Sequence, residues 1–236
     1  MMYKLYEEMY HHALTKFPEE ACGFIKHDGI QYSFVPVDNI HDTPTQKFRI
    51  NTSDILKHLD NSVAFFHSHV NQKVSKFSDE DKATSDEFNI PFLTIDIPSG
   101  NIYNYFPNGW NKQWRRHDYC YGLYDCVQTI YDYYKYELNI DFDYTIIRPQ
   151  PESWMQDSYV SPFAKACSEL GFKQVNDLQV NDIVLMQVRA KCQNHIGIYI
   201  GDNKILHTKA GKTSVIDLYN EAWQKRTTGI MRYAKS

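Results

Sequence analysis

The chain has 236 residues and a formal net charge of −4 with its histidines neutral, so it is long enough for one large domain or two small ones and gives no electrostatic argument for nucleic acid or an anionic membrane. Its 42% hydrophobic and 23% charged residues are ordinary for a globular protein, and no apolar run approaches the roughly 18 residues that a membrane-spanning helix needs. Five cysteines, an odd number without framework-like spacing, and an N-terminal stretch lacking an apolar core fit a protein made and folded in a cytosol.

Residues from about Met2 to Phe17 predict an amphipathic helix, with Leu5, Met9 and Ala13 at i, i+4 spacing and Pro18 as its stop. Strand-like runs follow at Cys22 to Lys26, Tyr32 to Val37 and Lys47 to Ile50, and Thr52 or Ser53 is placed to cap a short helix to Leu59. Val63 to His67 reads as a buried strand, and Ser78 begins a polar helix to about Phe88. Pro91 to Ile97 and Ile102 to Phe106 predict a strand pair across the turn Pro98-Ser99-Gly100-Asn101. Interleaved strands and helices make this half α/β or α+β. The turn-forming stretch Pro107-Asn108-Gly109-Trp110-Asn111 is the expected divide, giving domains over residues 1–108 and 112–236.

The second half predicts a helix from Cys126 to about Leu138, a polar loop from Asn139 to Pro151, and a helix over Pro162 to Leu170 stopped by Gly171. Strands are expected at Asp182 to Val188, His195 to Ile200, Lys204 to His207, Thr213 to Asp217 and Gly229 to Tyr233. Helices first and an antiparallel sheet later is an α+β order.

Three residues of this half suggest thiol chemistry. Cys126 opens the apolar helical run, where the positive end of a helix dipole favours a thiolate. His195 opens one strand and His207 closes the next, across the turn Gly201-Asp202-Asn203, so a tight hairpin can hold both imidazoles side by side. A thiol needs a base, and the base needs a third polar group to fix its tautomer. Cys120 is the rival nucleophile, without an apolar helical run directly behind it; Cys22, Cys167 and Cys192 read as structural.

Three segments in this order, Tyr121 to Cys126, Asp177 to Met186, and Asn194 to Tyr199 continuing to His207, resemble the NlpC/P60 cysteine peptidases. The resemblance implies a papain-like α+β core, with Cys126 as nucleophile, His195 as base and then acid, His207 as the orienting group, and peptidoglycan stem peptides as substrate. Two departures stand out. Asn181 replaces the usual glycine before Asp182, and the stretch ahead of the nucleophile is shortened to Tyr119-Cys120-Tyr121-Gly122, which leaves Tyr119 and Tyr121 both as candidates for the oxyanion tyrosine.

In the first half, His67 and His69 sit at i, i+2 on a strand, so both imidazoles point the same way. An Asp from Ser78-Asp79-Glu80-Asp81 supplies a third ligand and leaves a fourth position open, which is the catalytic type of zinc site. Glu20, at the entry to the first strand, is placed to shuttle a proton. Ser78-x-x-Asp81 is equally a helix-capping pattern. Glu20 with Gly23, His67-Ser68-His69, and Ser78 with Asp81 together resemble the JAMM (MPN+) metalloproteases. That resemblance implies an α/β domain, Zn2+ held by His67, His69 and Asp81, and Glu20 and Ser78 in catalysis. The gap from His69 to Ser78 is one residue longer than usual, and Val70 stands where a proline is common.

A JAMM-like domain followed by an NlpC/P60-like domain resembles the tail-tip assembly proteins of long, flexible-tailed bacteriophages. This implies other tail-tip proteins as partners, synthesis in the bacterial cytoplasm, a place at the virion tail tip and action at the host cell wall. The alternatives are a structural tail-tip adaptor with vestigial sites, and a cytosolic enzyme that removes a ubiquitin-like tag.

Overall fold

A computed structural model describes residues 3–70, 77–107, 118–142, 148, 151–157 and 159–234. The chain forms two compact units, residues 1–111 and 112–236. The expected divide, Pro107 to Asn111, lies outside the described residues beyond Pro107, as does much of the Asn139 to Pro151 loop. No helix among the described residues is long and apolar enough to cross a membrane.

The first unit opens with α1 (Lys4–Lys16), which buries Tyr6, Met9 and Ala13. It ends where Phe17 turns extended (ψ 132), the conformation a following proline imposes. A five-stranded sheet follows in the order β2-β1-β3-β4-β5, built from β1 (Cys22–His27), β2 (Tyr32–Val37), β3 (Ser62–His69), β4 (Phe92–Asp96) and β5 (Ile102–Tyr105). Only the β3–β4 pair is parallel, and α3 (Asp79–Phe88) lies between these strands in sequence. β3 is central and buried from Ala64 to His69, which is why it reads as a continuous apolar run up to its histidines. Phe24, Phe65 and Phe92 fill one core, with Phe48, Phe77 and Phe88 packed against it.

Two expectations need correcting here. Lys47 to Ile50 is not a strand. Ile40 N–H donates to the Arg49 carbonyl, the Lys47 amide turns back to the Thr43 carbonyl, and the Asn39 side chain takes up the Lys47 carbonyl and the Arg49 amide. The cap of α2 (Thr52–His58) is Asn51, whose side chain accepts from the Ser53 amide.

The second unit packs α4 (Cys126–Leu138) on a six-stranded sheet of order β10-β9-β8-β7-β11-β6, antiparallel throughout. Its strands are β6 (Phe172–Val175), β7 (Ile183–Met186), β8 (His195–Tyr199), β9 (Lys204–Thr208), β10 (Ser214–Leu218) and β11 (Thr227–Tyr233). Val127, Ile130 and Tyr134 of α4 meet Ile183, Leu185, Ile196 and Ile198 in the core. α5 (Phe163–Glu169) is followed by Gly171 at φ 96, a conformation that favours glycine. The sequence reading missed β6 and the short α6 (Glu221–Gln224). The Asn181 departure has a local explanation: the residue adopts φ 75, which asparagine tolerates, and its side chain accepts a bond from Tyr133 Oη at 2.7 Å.

Candidate active sites

In the first unit, the two-residue period of β3 sets His67 and His69 on one face and Ser68 on the other. The two Nε2 atoms lie 2.9 Å apart. Asp81 approaches from the first turn of α3, Oδ1 at 3.6 Å from His67 Nε2 and Oδ2 at 3.9 Å from His69 Nε2. Potential ligand atoms of the three residues fall within 4.8 Å of one another. Two imidazoles and a carboxylate converging from a strand end and a helix start fit Zn2+. Phe48 stacks on the His67 ring at 4.5 Å, and His69 Nδ1 faces Asp96 Oδ1 at 3.7 Å.

Ser68 faces the other way and joins β3 to the Glu20 segment. Its hydroxyl accepts from the Ala21 amide and its own amide donates to the Ala21 carbonyl, both at 2.9 Å. Glu20 is buried and lines the same cleft of about 680 Å³ as His67, His69, Ser78 and Asp81. Burial, then the neighbouring Asp81 carboxylate, push Glu20 up to about 8. Burial takes His67 down to about 3. At Asp81 burial acts upward, but His67 and the Ser78 bonds outweigh it and hold the carboxyl below its ordinary value. Ser78 caps α3: its hydroxyl donates to Asp81 Oδ2 at 2.8 Å and accepts from the Asp81 amide at 3.1 Å. The two readings of Ser78-x-x-Asp81 thus coincide, since Asp81 closes the capping box with Oδ2 and turns Oδ1 toward His67.

In the second unit, Asp125 caps α4 by accepting from the Gln128 amide at 3.0 Å. It also accepts from the Gly122 amide at 2.9 Å and pairs with Arg148 Nε at 2.7 Å. Cys126 is therefore held at the first position of a tightly capped helix, partly exposed where the other four cysteines are buried. The backbone amide of Ile196, next to His195, acts to lower this thiol, which puts the sulfur at the start of β8. His195 Nε2 lies 2.8 Å from His207 Nδ1. His207 Nε2 in turn faces Asp217 Oδ2 at 3.2 Å, and Lys209 Nζ donates to the same oxygen at 2.7 Å. Trp223 of α6 meets the His207 ring edge-on at 4.7 Å and lies 6.1 Å from that of His195. Gly197 matters here because a Cβ would stand 3.2 Å from that of His207.

Electrostatically, burial dominates. It pushes the Cys126 thiol up to about 12, against the expectation that the helix start lowers it, and takes His195 down to about 3 with help from His207 and Lys209. His207 is lowered by burial and partly restored by Asp217. The resting pair is thus a thiol and a neutral imidazole. Burial also raises Cys120. Tyr121 is buried edge-on against Trp154, and Tyr119 is half-buried. Sequence reasoning missed Arg148, Asp217, Trp223 and Asp96; of these only Asp217 carried a signal, its place at the end of a strand next to the one bearing His207.

The NlpC/P60 family matches residues 115–232, and the prokaryotic homologues of the JAB domain match residues 3–106. The chain is 30% identical over 238 aligned positions to "Tail tip assembly protein K" of Escherichia phage N15, covering 99% of this chain and 96% of that protein. Among solved structures, a solution structure from Desulfitobacterium hafniense is 26% identical, with a TM-score of 0.34 over 40% of this chain and 71% of its own. An NlpC/P60 family protein from Bacillus cereus is 14% identical, with a TM-score of 0.32 over 97% of this chain and 67% of its own. These structural scores are too low to bear on the fold. The sequence matches suffice: the chain belongs to the NlpC/P60 family, its first unit is a homologue of the JAB domain, and over its full length it belongs to the family of tail tip assembly protein K.

Proposed function

We propose that the chain is a tail-tip assembly protein of a bacteriophage whose second unit is a thiol endopeptidase acting on peptidoglycan stem peptides. The observation that carries this reading is the 2.8 Å bond between His195 and His207, on strands that pack against the helix opened by the partly exposed Cys126. His195 takes the proton of Cys126 as the sulfur attacks the peptide carbonyl carbon, then gives that proton to the leaving amine. Water cleaves the resulting thioester with His195 again as base. His207 orients His195 throughout. The neutral resting pair means that the proton moves when substrate arrives and displaces water.

The first unit is a zinc-dependent peptidase or isopeptidase in this reading. His67, His69 and Asp81 would hold Zn2+, which when bound supplies Lewis-acid polarisation of a carbonyl. Glu20, buried in the same cleft, moves the proton between nucleophile and leaving amine. Ser78 fixes Asp81 through the capping box. That same box favours a second reading, in which the first unit is a metal-free adaptor among other tail-tip proteins, because it satisfies Asp81 Oδ2 without an ion.

The test is incubation of the purified protein and its Cys126→Ala form with peptidoglycan, followed by mass spectrometry of the released fragments. Stem-peptide cleavage by the first and not the second supports the reading. Identical fragment spectra from both overturn it.

A further inference from the structure

Asp217 has no part in the thiol chemistry as described so far. It lies on β10, where Val215 pairs with His207 across the sheet. Asp217 is two residues on and so shares the face of His207 as its diagonal neighbour. Its carboxylate reaches the far nitrogen of that imidazole.

We propose that Asp217 is a positioning residue that sets the direction of the hydrogen-bond chain through both histidines, so that His195 presents a bare Nδ1 to the thiol. This rests on the reading of Cys126 and His195 as nucleophile and base. A carboxylate only accepts hydrogen bonds, and a neutral imidazole carries one N–H. Asp217 is kept ionised by the bonds from Lys209 and His207, which outweigh burial. The His207 nitrogen facing it, Nε2 at 3.2 Å, therefore holds the hydrogen. His207 Nδ1 is then bare and accepts, so its partner at 2.8 Å, His195 Nε2, donates. That uses the single hydrogen of His195 and leaves Nδ1 as a lone pair, the form a base needs.

Without a carboxylate at the end, the chain has two directions. In the reversed one His207 donates from Nδ1, His195 accepts at Nε2, and the hydrogen sits on His195 Nδ1, where it blocks proton uptake. Lys209, at 2.7 Å from the same Asp217 oxygen, keeps the carboxylate charged and in place. Trp223 covers the His207 ring.

The experiment uses the full chain labelled with 15N-histidine, with the His195 signals identified by their loss in His195→Gln. Long-range proton–nitrogen spectra distinguish bare from protonated ring nitrogens. In the wild type, His195 and His207 are both expected to carry hydrogen on Nε2. Asp217→Ala should populate the reversed form and slow alkylation of Cys126 about tenfold, the weight of a hydrogen bond to a charged group at the lower end of its range. Asp217→Glu should recover part of that rate, which a merely structural role would not explain. A hydrogen on His195 Nδ1 in the wild type would overturn the proposal without any variant having to fold. So would an unchanged tautomer in Asp217→Ala. If His195→Ala leaves alkylation unchanged, the base assignment fails, and the spectra still decide the role of Asp217.

Discussion

Arg148→Met tests the pair that anchors the head of α4. Arg148 and Asp125 are both 2% exposed and 2.7 Å apart. Breaking a buried pair by removing one partner costs about 3–5 kcal/mol, because the other charge stays buried. Asp125 would keep its two amide donors, Gly122 at 2.9 Å and Gln128 at 3.0 Å, which places the expected loss near the lower end, about 3 kcal/mol. In the double variant Asp125→Asn/Arg148→Met the stranded charge is gone. Asparagine still caps the helix through its oxygen, and the lost Gly122 bond costs about 1 kcal/mol. The double variant should therefore be about 1–2 kcal/mol more stable than Arg148→Met alone. Urea denaturation followed by tryptophan fluorescence reports on this unit, since Trp154 and Trp223 lie within it. A double variant no more stable than the single would refute the reasoning, because the damage would then lie in lost packing and not in an unpaired carboxylate.

The first unit should bind about one Zn2+ per chain, measured by metal analysis; equal zinc in His69→Ala would remove His69 from the ligand set. Alkylation of Cys126 should outpace that of the four buried cysteines and rise steadily from pH 6 to pH 9, as a thiol held near 12 requires; a rate flat across that window would mean a preformed thiolate. In chelator-treated protein the two buried histidines should cost stability in acid. His67 and His195 fall from 6.5 to about 3 on folding, so the unfolded chain binds more protons between those values. Their contribution is whole above about pH 6.5 and disappears as pH falls through 3, at up to about 1.4 kcal/mol per pH unit for each histidine. Glu20, raised on folding, acts in the opposite sense over part of this range, so the check is the difference between the protein and its His67→Gln/His195→Gln form; identical pH slopes from 7 to 4 would show that neither ring is buried neutral.

Local features were legible in the sequence and non-local ones were not. The i, i+2 spacing of His67 and His69, the Ser78/Asp81 cap and the start of α4 at Cys126 each follow from a few adjacent residues, and the structure has the elements that this spacing predicts. Phe48-Arg49-Ile50 alternates like a strand, yet no sheet edge takes up its amides, and periodicity carries no information about partners. β6 is four residues long with two exposed lysine and glutamine positions, too short for its pattern to stand out. Asp217 meets His207 only through the register of β9 and β10, and Trp223 reaches both histidines from a four-residue helix with little sequence signature. Arg148 is a single basic residue in a loop, and nothing near it in the sequence marks it as the partner of Asp125.

The hydrogen-bond chain from Asp217 through His207 to His195 has a consequence for synthesis. Ribosomes deliver Cys126 well before His195, and Asp217 and Trp223 later still, while domains fold in the order in which they emerge. A nascent chain that already displays the thiol lacks both the base and the strand that orients it. Because β10 is the outermost strand on its side of the sheet, it has only β9 to pair with and can dock only after β9 is in place. The histidine chain is therefore completed late, and a prematurely terminated chain that ends before β8 carries the thiol without either imidazole.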